Sequence, residues 1–95
     1  MKTKHFCYEE NIDYSPGNHF KVHLDIAHAE DCQLLCQQDP NCKYWTYGEA
    51  SWQQPRRCWL KTVKGIVVPG VVGVTSGPKN CPSLSGPSKY ILQID

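Results

Sequence analysis

The chain has 95 residues, including six cysteines, and its ten basic and nine acidic side chains give a net charge of +1. A chain this short forms one domain and buries only about 60% of the surface that its unfolded form exposes, so its core needs additional support. The near-zero net charge excludes the strong positive field of a nucleic-acid-binding protein. An even number of cysteines in a small domain indicates disulfides made in an oxidising compartment, so we expect a secreted or extracellular protein.

The chain lacks the apolar run of a signal peptide near its start, and no stretch approaches the roughly 20 apolar residues of a membrane span. We therefore expect a module of a longer secreted protein that does not insert into membranes. The predicted organisation is an N-terminal extension at 1–6, a domain at 7–81 and a linker or tail at 82–95. Residues 82–89 (PSLSGPSK) suggest the linker because they are rich in Pro, Ser and Gly.

The first part of the domain predicts two short strands. Residues 6–14 form the first, because the sequence SPGN that follows has strong turn chemistry. Residues 19–25 (HFKVHLD) alternate between apolar and polar side chains, which is typical of a half-buried strand. We expect its apolar side to pack against a helix through Phe20, Val22 and Leu24.

A helix is predicted at residues 28–39, where apolar side chains recur at the spacing of one helical face. Two acidic residues in its first turn favour a helix start, and Pro40 ends it. No Ser or Thr caps the boundary near His28. The residues expected to face the core are Cys32, Leu35 and Cys36.

The second part of the domain predicts a hairpin followed by a broken apolar segment. Residues 42–49 and 56–63 are aromatic and β-branched, and a polar loop joins them. Residues 65–74 (GIVVPGVVGV) contain too many Gly and Pro residues for a helix. Two short strand pieces or an ordered loop are expected there.

Three cysteines in residues 31–42 (DCQLLCQQDPNC) raise three alternatives: a metal site, a redox centre or a structural staple. Zinc sites use paired ligands at close spacing, but this C-x3-C has no matching second pair, and Cys7 and Cys81 would be left over. A redox centre needs C-x-x-C at a helix start, whereas Cys32 and Cys36 lie inside the helix. We therefore expect no metal and no cofactor.

The sequence offers no catalytic constellation either. A cysteine hydrolase needs a free nucleophile beside a histidine, and an even set of paired cysteines supplies none. His19 and His23 fall on the polar side of their strand, the carboxylates are scattered, and no glycine-rich phosphate loop follows a strand. We expect no enzymatic activity.

Disulfides therefore remain, and the predicted geometry favours one pairing. Two cysteines share a helical face, so each must reach a different element. The turn after the helix brings Cys42 back to the helix end, beside Cys36. Cys58 in the hairpin can then reach Cys32, and Cys7 and Cys81 can join the two ends of the domain. Each bond contributes about 2 to 4 kcal/mol in the chain-entropy model. The favoured pairs are Cys36–Cys42, Cys32–Cys58 and Cys7–Cys81.

These residues resemble the PAN/apple domain family. The matching stretches are DCQLLCQQDPNCKYWTY, CWLK and GVTSGPKNC, preceded by an N-terminal cysteine and the SPGN turn, in the family's order. The match runs from about Cys7 to Cys81, although Ala27-His28-Ala29 stands where relatives often carry a small hydroxyl residue. The resemblance implies an α+β fold in which an antiparallel sheet of about five strands cradles a single α-helix, with three disulfides.

The resemblance also implies a function. Modules of this family bind proteins or carbohydrates and are not enzymes; they include apple domains of plasma prekallikrein and coagulation factor XI, and of apicomplexan microneme adhesins, which this sequence resembles most. We expect one repeat of a secreted parasite adhesin that passes from the microneme to the parasite surface and serves host-cell attachment and invasion. Its partner would be a host-cell surface protein or glycan, or another secreted protein, and the isolated domain would be monomeric.

A candidate binding surface lies on the second strand of the hairpin. Arg57, Trp59 and Lys61 alternate onto one face, and Trp52 in the hairpin loop, with its neighbouring glutamines, extends the stripe. Cationic and aromatic side chains suit an acidic protein surface or a sulfated or sialylated glycan. In the alternative interpretation, Trp59 packs across the sheet onto neighbouring aromatic residues, and the two cations are solvated edge charges.

Two functions from different classes remain open. The first is an adhesion module that binds a host-cell glycan or receptor. The second is an assembly module whose partner is another protein of the same complex, as in the clotting zymogens. The sequence does not name the ligand, because one fold carries many different sites.

Overall fold

The computed structural model describes residues 5–16, 18–81 and 91–94. Within them it contains eight strands and one helix. In chain order these are β1 (His5–Glu10), β2 (Ile12–Ser15), β3 (His19–His23), α1 (Ala29–Gln38), β4 (Tyr44–Gly48), β5 (Arg57–Lys61), β6 (Ile66–Pro69), β7 (Val74–Pro78) and β8 (Ile91–Ile94).

Six of these strands form an antiparallel sheet in the order β3-β5-β4-β7-β1-β8. Helix α1 packs on one face of this sheet, which we call the inner face, and the opposite face is the outer face. The predicted fold class is confirmed: five of the strands make the expected sheet, and β8 adds a sixth. Strands β2 and β6 form a separate two-stranded antiparallel sheet that the sequence patterns did not predict.

Helix α1 begins and ends where the sequence predicts. His28 is its N-cap residue and makes no side-chain capping hydrogen bond, while Glu30 and Asp31 in the first turn interact favourably with the helix dipole. At the other end, the Asp39 amide donates to the Cys36 carbonyl at 3.2 Å, just before the proline. The helix therefore depends on packing and disulfides more than on its caps.

The core lies between α1 and the inner face and is built around disulfides. The structure pairs Cys32 with Cys58, Cys36 with Cys42 and Cys7 with Cys81, at Cα–Cα distances of 5.4, 5.2 and 5.6 Å. These are the expected pairs, and no free thiol remains. The buried side chains packed with them include Phe6, Tyr8, Trp45, Tyr47 and Leu60.

A buried glutamine adds polar contacts between the helix and the ends of the domain. Gln33 is fully buried, and its side-chain oxygen accepts a hydrogen bond from the Cys7 amide at 3.1 Å. Its amide nitrogen donates to the Lys79 carbonyl at 3.4 Å, and Gln37 donates to the same carbonyl at 3.1 Å. Because every polar atom of Gln33 has a partner, burying it is not a net penalty.

The prediction that Phe20, Val22 and Leu24 all pack against the helix is wrong, although Phe20 lines a surface groove with Leu35 and Gln38 of α1. The side chains of Phe20, Val22 and Leu24 are 39%, 36% and 59% exposed. Strand β3 lies at the edge of the sheet, and a register irregularity after His19 changes its pairing with β5. Val22 consequently lies opposite Trp59 on the outer face.

The strands extend beyond both predicted boundaries of the 7–81 domain. Strand β1 begins inside the predicted extension at 1–6, and β8 lies inside the predicted tail at 82–95, where it pairs with β1. The rest of these two segments lies outside the described residues, so the boundaries stay a prediction. The apolar segment at 65–74 forms β6 and the approach to β7, with left-handed glycines between them, in agreement with the expected strand pieces.

The disulfides are expected to stabilise the fold unequally. The Cys7–Cys81 bond spans 74 residues and the Cys36–Cys42 bond spans 6. Because the loop-closure entropy rises with loop length, replacing both cysteines by alanine costs about 4 kcal/mol for the long loop and about 2 kcal/mol for the short one. Urea unfolding of the two double variants measures the free energies, and equal losses would contradict this order.

Candidate functional site

A cavity of about 210 Å³ opens on the outer face of the sheet. We call it the outer cavity. Its lining comes from four strands of the six-stranded sheet, from β2 of the two-stranded sheet and from the loop that joins β4 and β5, so several separate elements fix its shape. Its lining residues are Asp13, His19, Thr46, Trp52, Gln54, Trp59, Lys61 and Val74.

Two half-buried indoles form the aromatic part of the outer cavity, and Gly48 makes room for both. A Cβ atom at position 48 would lie 2.8 Å from Cδ1 of Trp52 and 3.3 Å from Cζ3 of Trp59. The same atom would lie 2.9 Å from the Gln54 carbonyl oxygen. Glycine at this position therefore lets the loop fold down and bring Trp52 beside Trp59.

Lys61 forms the floor of the outer cavity and is only 4% exposed. Its ammonium group donates a hydrogen bond to the Tyr14 carbonyl oxygen and lies 3.7 Å from Oδ1 of Asp13. Burial lowers the pKa of Lys61, and the negative charge of Asp13 opposes that shift. The pair joins β5 to β2 and fixes a carboxylate at the cavity wall.

Tyr14 closes this side of the outer face above Lys61. It is fully buried, and its hydroxyl donates to Oε2 of Glu9 at 2.6 Å. The Lys64 ammonium lies 5.0 Å from the centre of its ring, within the range of a cation–π contact, and Tyr44 meets the ring edge-on. The two-stranded sheet is therefore anchored on the outer face, and it leaves the outer cavity open beside it.

The structure brings together three of the four predicted ligand-binding residues. Trp52, Trp59 and Lys61 line the outer cavity, whereas Arg57, although on the same face, is not among the lining residues. Lys61 does not present a surface charge, because β2 covers it. The alternation of side chains along β5 predicted the correct face for Lys61, but it contained no information about the burial of Lys61 beneath β2.

Within the described residues, Trp59 makes no ring contact with the aromatic side chains of β4, and Tyr44, on the same face, meets the ring of Tyr14 instead. The cross-strand partner of Trp59 is Thr46, and the hydroxyl of Thr46 is hydrogen-bonded to Ser76 at 2.8 Å. Trp45 and Tyr47 alternate to the inner face and are buried in the core. Trp45 therefore belongs to the core, whereas Trp52 and Trp59 lie on the outer face.

Sequence reasoning missed Asp13 and His19 as lining residues. His19 reaches the cavity because it pairs with Lys61 at the start of β3. Asp13 reaches it because β2 packs on the outer face, where the Lys61 side chain contacts Asp13. Both contacts join residues that are more than 40 positions apart, so no local spacing signals them. The role of Gln54 as a lining residue could be predicted, because it lies two positions from Trp52 in the hairpin loop.

The described residues contain no group of three or more His, Cys, Asp or Glu side chains arranged to hold a metal ion. Helix α1 has 10 residues, well short of a bilayer-spanning length, and the described parts of the chain contain no other helix.

Comparisons with known proteins agree with this architecture. The family model of the PAN domain matches residues 10–61. Micronemal protein 4 of Toxoplasma gondii is 32% identical over 75 residues, which cover 77% of this chain and 12% of that protein. The chain thus spans only a small part of the relative's length.

Two solved structures are similar to this chain. The two N-terminal apple domains of Toxoplasma gondii microneme protein 4 match with a TM-score of 0.61 and 32% identity, over 76% of this chain and 44% of that one. A PAN module from Eimeria tenella matches with a TM-score of 0.62 and 25% identity, over 90% of this chain and 93% of that one.

The buried cation of Lys61 predicts a specific pH dependence of stability. Its pKa in the folded protein lies below the usual 10.5, so the unfolded chain binds the proton more tightly. Relative to the Lys61→Met variant, the wild-type protein is therefore expected to gain stability as the pH rises from neutral towards 10.5. Paired urea titrations of both proteins measure this difference, and a constant or falling difference would contradict it.

Proposed function

The chain belongs to the PAN domain family, and on that premise we propose that it is an extracellular adhesion module that binds a host-cell glycan in the outer cavity. Its similarity to a microneme protein supports a role as one repeat of a secreted parasite adhesin, used in host-cell attachment and invasion and delivered from the microneme to the parasite surface. No catalytic step forms part of this function.

The single observation that carries the proposal is the pairing of two indoles with fixed polar groups in one cavity. Trp52 and Trp59 offer flat apolar faces on which a sugar ring can stack. The Asp13 carboxylate, held by Lys61, and the Gln54 amide provide hydrogen-bonding groups for sugar hydroxyls. Apolar walls with a few placed polar groups are typical of a small-ligand site.

The charges of the outer cavity favour a neutral sugar over a sulfated or sialylated one. Lys61, the cation in its floor, is already paired with Asp13 and bonded to the Tyr14 carbonyl. Arg57 lies outside the lining. An anionic group would meet the Asp13 carboxylate without an uncommitted cation to offset it, so the earlier expectation of an acidic ligand is replaced by that of a neutral glycan.

A glycan array with the isolated domain tests this function and identifies the sugar, and calorimetric titration then measures its affinity. Trp59→Ala is expected to weaken binding about tenfold, equivalent to about 1.4 kcal/mol, because the sugar loses its stacking surface. Gly48→Ala is expected to have a similar effect, because the new methyl group displaces both indoles.

Arg57→Ala is the matched control, since it removes a large side chain from the same strand and face without touching the cavity lining. It is expected to change the affinity less than about twofold. Equal losses for Arg57→Ala and Trp59→Ala would contradict the outer cavity as the site. No glycan binding on the array, together with self-association in sedimentation experiments, would favour the assembly module instead.

A further inference from the structure

A long groove runs along α1, between the helix and the edge strand β3. It consists of two adjoining cavities of about 490 and 390 Å³, which share Leu35 and Gln38 of the helix. The first cavity lies between the side chains of β3 and the end of α1, and the second is lined by residues 25–27 and the middle of α1. We call the two together the helix groove.

Strand β3 forms one wall of the helix groove and is also an edge of the six-stranded sheet. It pairs with β5 on one side, and no strand of the described residues pairs with its other side. Four of its five residues are exposed, and its pairing with β5 is regular over residues 21–23. The backbone groups along the open side of such an edge can form a ladder with one more extended strand.

The floor of the helix groove is apolar. Ile26, Leu34 and Leu35 are half-buried and pack against the disulfide core, and Phe20 at the rim is 39% exposed. Lys21 and His23 of β3 line the same groove, so alternate side chains of this strand are directed towards the helix. A strand added beside β3 would direct every second side chain the same way, and apolar side chains would be buried there.

The charges along the helix groove differ between its two ends. At the end of α1, Nζ of Lys21 lies 3.3 Å from Oδ2 of Asp39, so these two charges compensate each other. At the other end, Asp25 and Asp31 line the groove, and neither forms an ion pair within the described residues. The unbalanced negative charge therefore lies at one end and favours a cationic group there.

We propose that the helix groove binds an extended segment of a partner protein, which adds a strand to the open side of β3. The backbone of the segment forms hydrogen bonds with β3, and its alternate apolar side chains pack onto Leu34 and Leu35. A Lys or Arg side chain at one end of the segment meets Asp25 and Asp31. This interface serves a protein partner and does not depend on glycan binding in the outer cavity.

Nuclear magnetic resonance titration of the isotope-labelled domain tests the proposal with defined peptides. The probe is the capped hexapeptide Lys-Val-Thr-Val-Thr-Val. It is expected to shift the amide signals of Val22, His23 and Leu35 in a saturable manner and to leave that of Trp52, in the outer cavity, unchanged.

Three control peptides each remove one of the recognised features. Glu-Val-Thr-Val-Thr-Val reverses the charge, Lys-Ser-Thr-Ser-Thr-Ser removes the apolar side chains, and Lys-Val-Pro-Val-Pro-Val removes two backbone donors. Each control is expected to bind more weakly than the probe. Hydrogen exchange gives a direct sign of strand addition, because binding of the probe is expected to slow the exchange of β3 amides that point away from β5.

Variants with matched controls locate the binding site. Asp25→Asn, at a left-handed position that Asn tolerates, is expected to weaken binding of the probe about twofold. Its control is Glu49→Gln, which removes an exposed carboxylate outside the helix groove. Phe20→Ser is expected to weaken binding about fivefold through lost apolar burial. Its control is Val72→Ser, which changes a 74% exposed side chain outside the groove.

Five results would overturn the proposal. These are the absence of saturable shifts with the probe, a control peptide that binds as tightly as the probe, unchanged exchange of the β3 amides, equal effects of a variant and its control, and concentration-dependent shifts of the same signals without peptide. The last result would assign the groove to a second copy of this chain. Spectra of the free variants show whether each one is folded, so a loss of binding is not confused with unfolding.

Discussion

The Cys32–Cys58 disulfide is the constraint on which the rest of the structure depends. It fixes α1 to β5, and the helix thereby divides the sheet into an inner face that holds the core and an outer face that does not. A chain of 95 residues can bury only a small amount of apolar surface. Covalent attachment of the helix reduces the amount of buried apolar surface that a stable fold requires. Trp45 can therefore be the one buried indole, while the other two remain on the outer face.

The outer face is organised by a second, polar constraint. The ammonium of Lys61 is buried between β5 and β2 and is compensated by Asp13 and the Tyr14 carbonyl. Burial of a charged pair is a weak source of stability, but it fixes the position of each partner. In this chain it anchors the two-stranded sheet and holds a carboxylate beside two indoles. The proposed glycan cavity thus follows from the same contact that covers Lys61.

Local patterns predicted most of the secondary structure and the cysteine pairing, because helical spacing and turn chemistry act over a few residues. Cys32 and Cys36 share a face for that reason. The orientation of β3 was not predictable, because one register irregularity after His19 changes which side chains face the helix. The alternation of β5 predicted the face of Lys61 but not its burial, which depends on a strand more than 40 positions away. Gln33 was missed because a polar residue on a helix is ordinarily exposed.

On this proposal, the two outer indoles, and not the core indole, contact the ligand. The most direct measurement follows the three indole N–H resonances during titration with the neutral glycan that binds best. The signals of Trp52 and Trp59 are expected to shift, whereas that of Trp45, whose indole nitrogen donates to the Pro78 carbonyl at 2.9 Å in the core, is expected to stay in place. Saturable glycan binding that leaves the Trp52 and Trp59 signals unmoved would contradict the outer cavity as the binding site.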